Sequence, residues 1–99
     1  MRIQDVADDF IGCKTRVIES RNPQIVGVEG IVIDETKNTF TLRNDAKSII
    51  IPKERAKFQF ETGSGEIVLK GDWIRISPEN RLKESKRVLR AINRSEKIW

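Results

Sequence analysis

Glu29, Asp34 and Glu35 are the first residues of this sequence that could do chemistry. Carboxylates this close together suit a hard divalent cation such as magnesium, and a metal-held water can cleave a phosphodiester. A plainer reading competes with that one and accounts for them better. Asp34 and Glu35 lead into Thr36-Lys37-Asn38, which is ordinary turn chemistry, because asparagine tolerates positive φ. The rest of a catalytic set is missing from the sequence. Histidine is absent, which removes the commonest general base and the commonest metal ligand. A single cysteine, Cys13, leaves no ligand set for zinc. Between Ile11-Gly12 and Lys14 it reads as a small packing residue rather than a reactive thiol. Gly63-Ser64-Gly65 lacks the lysine and following helix of a phosphate-binding loop and reads as a hairpin turn. No nucleophile, base and orienting group fall at a recognisable spacing.

Binding chemistry is better represented. Ser77-Pro78-Glu79 reads as a helix start: serine can cap, proline fits the first turn, and the early acid suits the dipole. On a wheel of about 100° per residue, Leu82, Ser85, Val88, Leu89 and Ile92 share one side of the following segment. Lys83, Arg87, Arg90, Arg94 and Lys97 fall on the other, within an arc of about 80°. The formal excess of +4 lies wholly here: residues 79–99 hold seven Lys or Arg and three Asp or Glu, and the remainder is balanced at twelve of each. A merely solvated helix tends to mix signs along its face, so the stripe points to nucleic-acid backbone.

The elements that must position these residues follow from pattern. At 99 residues, the chain suits one domain with a small core. Aromatics are only 6%, so an aliphatic core is expected. "KTRVIES", "VGVEGIVID", "TFTLR", "SIIIP", "KFQFE", "IVLKG" and "WIRI" read as short strands separated by turn signals. Phe40 and Leu42 share one face, Phe58 and Phe60 point inward, and Ile50 is expected to be buried. Lys14, Arg16, Arg43, Lys47, Lys53, Arg55 and Lys57 are expected on the strand surface. The glycines of the second strand suggest sharp bends or bulges. About six short, strongly bent strands suggest a closed or nearly closed antiparallel barrel. The expected organisation is mainly β and a single domain over 1–99. It comprises a helical segment over 1–12 with Ile3, Val6 and Phe10 at helical spacing, a barrel over 13–76, and a basic helix and tail over 77–99. One cysteine, no apolar run near about 18 residues and no apolar stretch at the start predict a soluble protein of a reducing interior, hence cytoplasmic, without a membrane.

"FIGCKTRVIES" followed by "NPQIVGVEGIVIDETKNTF", then Pro52-Lys53, "FQFE" and "PENRL", resembles the archaeal ribonuclease P protein component 1 family across nearly the whole chain. The resemblance implies an Sm-like, strongly bent barrel flanked by helices. It implies an RNA-binding, noncatalytic subunit of a ribonucleoprotein that removes the 5′ leader from precursor tRNA. Catalysis there belongs to the RNA, with magnesium on the RNA and no cofactor on this chain. It also implies the ribonuclease P RNA, the small zinc-ribbon subunit and the other holoenzyme proteins as partners, with precursor tRNA contacted indirectly. RNA-backbone contact is expected from Lys14, Arg16, Arg21 and Lys37 in the strand region and from Lys83, Arg87, Arg90 and Arg94 on the helix. Partner contact is expected from Ile3, Val6 and Phe10, and from Leu82, Val88, Leu89 and Ile92. The alternatives are an Sm-like or SH3-like RNA-binding barrel of another ribonucleoprotein or of the translation apparatus, and a magnesium nuclease using Glu29, Asp34 and Glu35.

Overall fold

Alternation writes most of the sheet. In "TFTL" and "AKFQF" every second residue is apolar, so one face of each strand can be buried while the other stays wet. The computed structural model describes residues 10–63, 65–81 and 90. It contains six strands: β1 (Lys14–Ser20), β2 (Glu29–Glu35), β3 (Thr39–Asn44), β4 (Lys47–Pro52), β5 (Ala56–Thr62) and β6 (Gly65–Lys70). They form one antiparallel sheet in the order β4-β3-β2-β1-β5-β6. Among the described residues the hydrogen-bonded ladder ends at β4 and at β6, so it is an open ladder rather than a closed ring. Register shifts between Val17 and Glu19 on β1 and between Val32 and Asp34 on β2 bend the sheet, as β-bulges do. The backbones of β2 and β3 approach so closely that a Cβ on Gly30 would lie 2.6 Å from the Arg43 carbonyl oxygen.

The concave face encloses Phe10, Val17, Val32, Phe40, Leu42, Ile51, Phe58, Phe60, Leu69 and Ile74. Its centre is aromatic, contrary to the aliphatic core expected from composition. All four phenylalanines of the chain meet there. Phe10 stacks on Phe60 at 4.4 Å between centroids, and Phe40 stands edge-on to Phe58 at 5.2 Å. Offset and edge-to-face pairs of this kind add to the burial term. A small aromatic fraction is enough for a small core when every ring is inside it.

Three expectations change. "WIRI" is not a strand: Gly71–Ile74 is a 3-10 turn that crosses the end of the sheet, burying Ile74 and then Ile76. Ile50 is 68% exposed, because in a three-isoleucine run on an edge strand the outer residues Ile49 and Ile51 turn inward and the middle one turns out. Of the expected N-terminal helical segment, residues 1–9 lie outside the described residues. Ile11-Gly12 form a turn closed by the Cys13 amide donating to the Phe10 carbonyl at 3.0 Å. The loop after β1 matches its Asn-Pro signal: Pro23–Ile25 is a 3-10 turn whose Gln24 amide donates to Asn22 Oδ1 at 3.0 Å. Helical backbone begins at Pro78, directly after Ser77, and continues through Arg81; Arg90 is also helical.

Candidate nucleic-acid interface

The segment that first suggested a metal site is built for something else. Strict alternation from Val32 would turn Glu35 outward. The bulge between Val32 and Asp34 shifts the phase by one residue, so Glu35 pairs with buried Phe40 and joins the inner face. There its Oε2 accepts from Lys53 Nζ at 2.7 Å and pairs with the Arg81 guanidinium. Lys53 Nζ also donates to the Thr36 carbonyl at 2.8 Å and to the Ile74 carbonyl at 3.0 Å. Both cations lie over rings, Lys53 at 4.6 Å from the Phe40 centroid and Arg81 at 4.7 Å from that of Phe10. All three charged residues are buried.

One carboxylate between two cations leaves the cluster with an excess positive charge. Burial disfavours the charged ammonium and lowers the Lys53 pKa from its ordinary value; the Glu35 hydrogen bond and charge oppose this, and the charge of Arg81 adds to it. The cluster ties the end of β2, the β4–β5 connection, the end of the 3-10 turn and the helical turn that begins at Pro78 into one knot. Lys53, expected on the surface, is thus a correction. Its aliphatic stem and ammonium group are enclosed because the connection carrying it runs beneath Gly71, whose missing side chain leaves room for the Lys53 carbonyl. Glu35 is occupied as an anchor, Glu29 and Asp34 are exposed, and no group of three or more His, Cys, Asp or Glu side chains able to hold a metal occurs among the described residues.

The expected RNA-contacting cations fall into separate settings. Lys14 and Arg16 project from the outer face of β1. Lys14 lies opposite Glu61, and Arg16 lies opposite Glu29 on one side and Gln59 on the other; Gln59 in turn donates to Glu66 at 2.7 Å. That face is locally acidic overall. Arg21 is exposed just beyond β1, its amide donating to the Arg55 carbonyl at 3.2 Å. Lys37 is exposed in the β2–β3 turn. Next to it, Asn38 Oδ1 accepts from Arg75 Nε at 3.4 Å and Nη2 at 3.3 Å. Arg90 is exposed, while Lys83, Arg87 and Arg94 lie outside the described residues. Of the expected partner-binding residues, Phe10 is a correction: it is buried in the chain's own core, drawn there by stacking on Phe60. Ile3, Val6, Leu82, Val88, Leu89 and Ile92 lie outside the described residues. The outer face of β2 to β4 instead exposes Ile31, Ile33 and Ile50.

The family model described as "Ribonuclease P/MRP, subunit p29" matches residues 6–84. The chain belongs to the ribonuclease P/MRP subunit p29 family. Ribonuclease P protein component 1 of Thermococcus sibiricus is 46% identical over 76 residues, covering 77% of this chain and 62% of that protein. The component 1 protein of Thermoplasma acidophilum is 39% identical over 87 residues, covering 88% of this chain and 95% of that protein. A solved structure of Mth11, described as a homologue of human RNase P protein Rpp29, is 34% identical with a TM-score of 0.57, covering 75% of this chain and 97% of its own. The matched span takes in the whole sheet and the Glu35–Lys53–Arg81 cluster, so the family likeness and the buried anchor concern the same part of the chain. Sequence reasoning missed Lys53, Arg75 and Arg81 as placed residues. The only available signal was the "DE" at the end of β2, and the bulge that inverts its meaning leaves no mark in composition.

Proposed function

We propose that this chain is the component 1 protein subunit of ribonuclease P, an RNA-binding, noncatalytic part of the ribonucleoprotein that removes the 5′ leader from precursor tRNA. The observation that carries the reading is the family match across residues 6–84. The physical role fits the charge distribution: a sheet fixes the start of a basic helix through a buried ion cluster, and outward cations neutralise RNA phosphates and displace counterions. Lys14, Arg16, Arg21, Lys37, Lys83, Arg87, Arg90 and Arg94 are the proposed contacts, with the helix and the Arg21 and Lys37 region favoured over the acid-flanked Lys14 and Arg16.

The finer features belong to the same proposal. The bent six-stranded sheet is an Sm-like barrel within a single domain over 1–99, the RNA carries the catalytic magnesium, and this chain binds no cofactor. Its partners are the ribonuclease P RNA, the other holoenzyme proteins and the zinc-ribbon subunit in particular, and the assembly is cytoplasmic. Among the described residues no helix is long and apolar enough to cross a membrane.

The test is reconstitution. Precursor tRNA cleavage is measured across a magnesium titration with the RNA and the remaining protein subunits, with and without this chain. Its addition is expected to lower the magnesium needed for cleavage, and the chain alone is expected to leave precursor tRNA intact. Leader removal by the chain without RNA, or a holoenzyme indifferent to it, overturns the reading.

A further inference from the structure

A continuous row of exposed cations runs along the seam where the β4–β5 connection crosses the sheet. Backbone and side-chain contacts link their positions. The Arg21 amide donates to the Arg55 carbonyl at 3.2 Å. The Arg55 amide donates to both oxygens of Asp72 at 3.3 Å. Asp72 reaches Arg75 at 3.9 Å, Arg75 donates to Asn38 Oδ1, and Lys37 is the next residue in that turn. Four long cationic side chains therefore leave the surface from adjoining backbone positions, all four exposed.

Arg55 is the unusual member. Its φ is +51°, in the left-handed region that glycine and asparagine enter far more readily than arginine. The turn is held by the Asp72 carboxylate on its amide, so the backbone would keep this shape with glycine. The conformation itself therefore does not call for an arginine.

Charge decides between this seam and the outer face of β1. On the β1 face two cations, Lys14 and Arg16, sit among three acids, Glu29, Glu61 and Glu66. Along the seam Arg21, Arg55, Arg75 and Lys37 accompany three acids: Asp72, which is engaged by the Arg55 amide and by Arg75, Glu19, which pairs with Lys57 at 3.6 Å, and the exposed Glu54. Phosphates are therefore drawn to the seam. Guanidinium groups also match a phosphate bidentately.

We propose that Arg21, Arg55, Arg75 and Lys37 form a phosphate-binding track for the backbone of folded RNA, distinct from the C-terminal helical stripe. This rests on the ribonucleoprotein reading above and extends it with Arg55 and Arg75. The ligand is the sugar–phosphate chain rather than bases, because the seam offers a row of cations and no row of exposed rings on which bases could stack.

The experiment is a salt titration of binding to ribonuclease P RNA by the full chain, comparing wild type with R55G/R75Q and with K47Q. Lys47 opens β4 beside the β3–β4 turn, at the other end of that hairpin from Asn38. The double variant is expected to lower the log-log salt slope by about 1.5 units, roughly 0.7–0.9 per lost contact, while K47Q leaves it unchanged. Should R75Q disturb the fold, seen as a lowered thermal midpoint, R55G alone keeps the turn and is expected to lower the slope by about 0.7–0.9 units. An unchanged slope in R55G/R75Q, or an equal fall in K47Q, overturns the track. So does a double variant that binds RNA normally but fails to join the other protein subunits, which would make the seam a protein contact. A wild-type chain that binds the RNA at no salt concentration would instead remove the ribonucleoprotein reading itself.

Discussion

Glu35 holds together a cluster in which it is outnumbered. Removing it leaves Lys53 and Arg81 buried with no counter-charge, whereas removing Lys53 leaves a balanced Glu35–Arg81 pair. Loss of one partner from a buried pair typically costs about 3–5 kcal/mol, so Glu35→Gln is expected to lose stability in that range. Lys53→Met is expected to cost about 1–3 kcal/mol, chiefly for the Thr36 and Ile74 carbonyls it leaves unbonded. Urea denaturation of the two variants at neutral pH checks the order; a Lys53 variant less stable than the Glu35 variant contradicts it. The pH dependence follows from the burial of Lys53. The Lys53 pKa is lower in the folded chain than its ordinary 10.5. Between the two values the unfolded chain keeps the proton that the folded chain has released. The contribution of this group to stability therefore rises with pH across that window, and its penalty is fully present below it. The stability gap between wild type and Lys53→Met should accordingly widen as pH is raised toward about 10. A gap that narrows would mean that the ammonium form is the favoured one in the fold. None of this was legible in the sequence. Glu35 and Lys53 lie 18 positions apart and Arg81 a further 28 on, and only the bulge brings the carboxylate inside.

At the level of elements, the sequence was readable wherever alternation was clean. Strands β3 and β5 carry their pattern openly, and Phe40, Leu42, Phe58 and Phe60 sit inside as the period of two requires. It misled where apolar residues ran together, as at Ile49-Ile50-Ile51, and where an alternating run had to turn, as at "WIRI". That second departure centres on Gly71. A Cβ there would run into the backbone carbonyl of Lys53, which cannot move without disturbing the Glu35 cluster. Gly71→Ala is expected to destabilise by about 1–3 kcal/mol, the usual range for forcing extra volume into a packed site. Gly63 is the contrast. It has open space around it and no positive φ, so Gly63→Ala should be neutral or stabilising by up to about 1 kcal/mol through the unfolded chain. Thermal melts of the two alanine variants test the pair. Equal shifts would show that close approach at Gly71 is relieved elsewhere.

Across the whole molecule, the charge excess and the fold meet at Arg81. The excess of +4 lies in residues 79–99, yet one of those cations is buried as a fastener, in the described helical turn that leads into the segment expected to carry the basic stripe. Two kinds of variant should therefore separate. Arg87→Glu with Arg90→Glu is expected to weaken RNA binding and to flatten its salt dependence by about one unit per lost phosphate contact. Stability should hardly change, since exposed charges contribute little. Arg81→Met removes no phosphate contact, because its guanidinium lies over Phe10 and against Glu35. It leaves a balanced Lys53–Glu35 pair and releases the start of the helix from the sheet. RNA affinity should then fall by a similar factor at every salt concentration, because the stripe must be repositioned on binding at an entropic cost while the same number of counterions is released. Parallel binding isotherms on a log-log salt plot, displaced but equal in slope, are the expected result. A slope lower by about 0.7–0.9 units would mean that Arg81 leaves the core to meet a phosphate, and the cluster would then be a reserve of charge for RNA rather than an anchor for the helix.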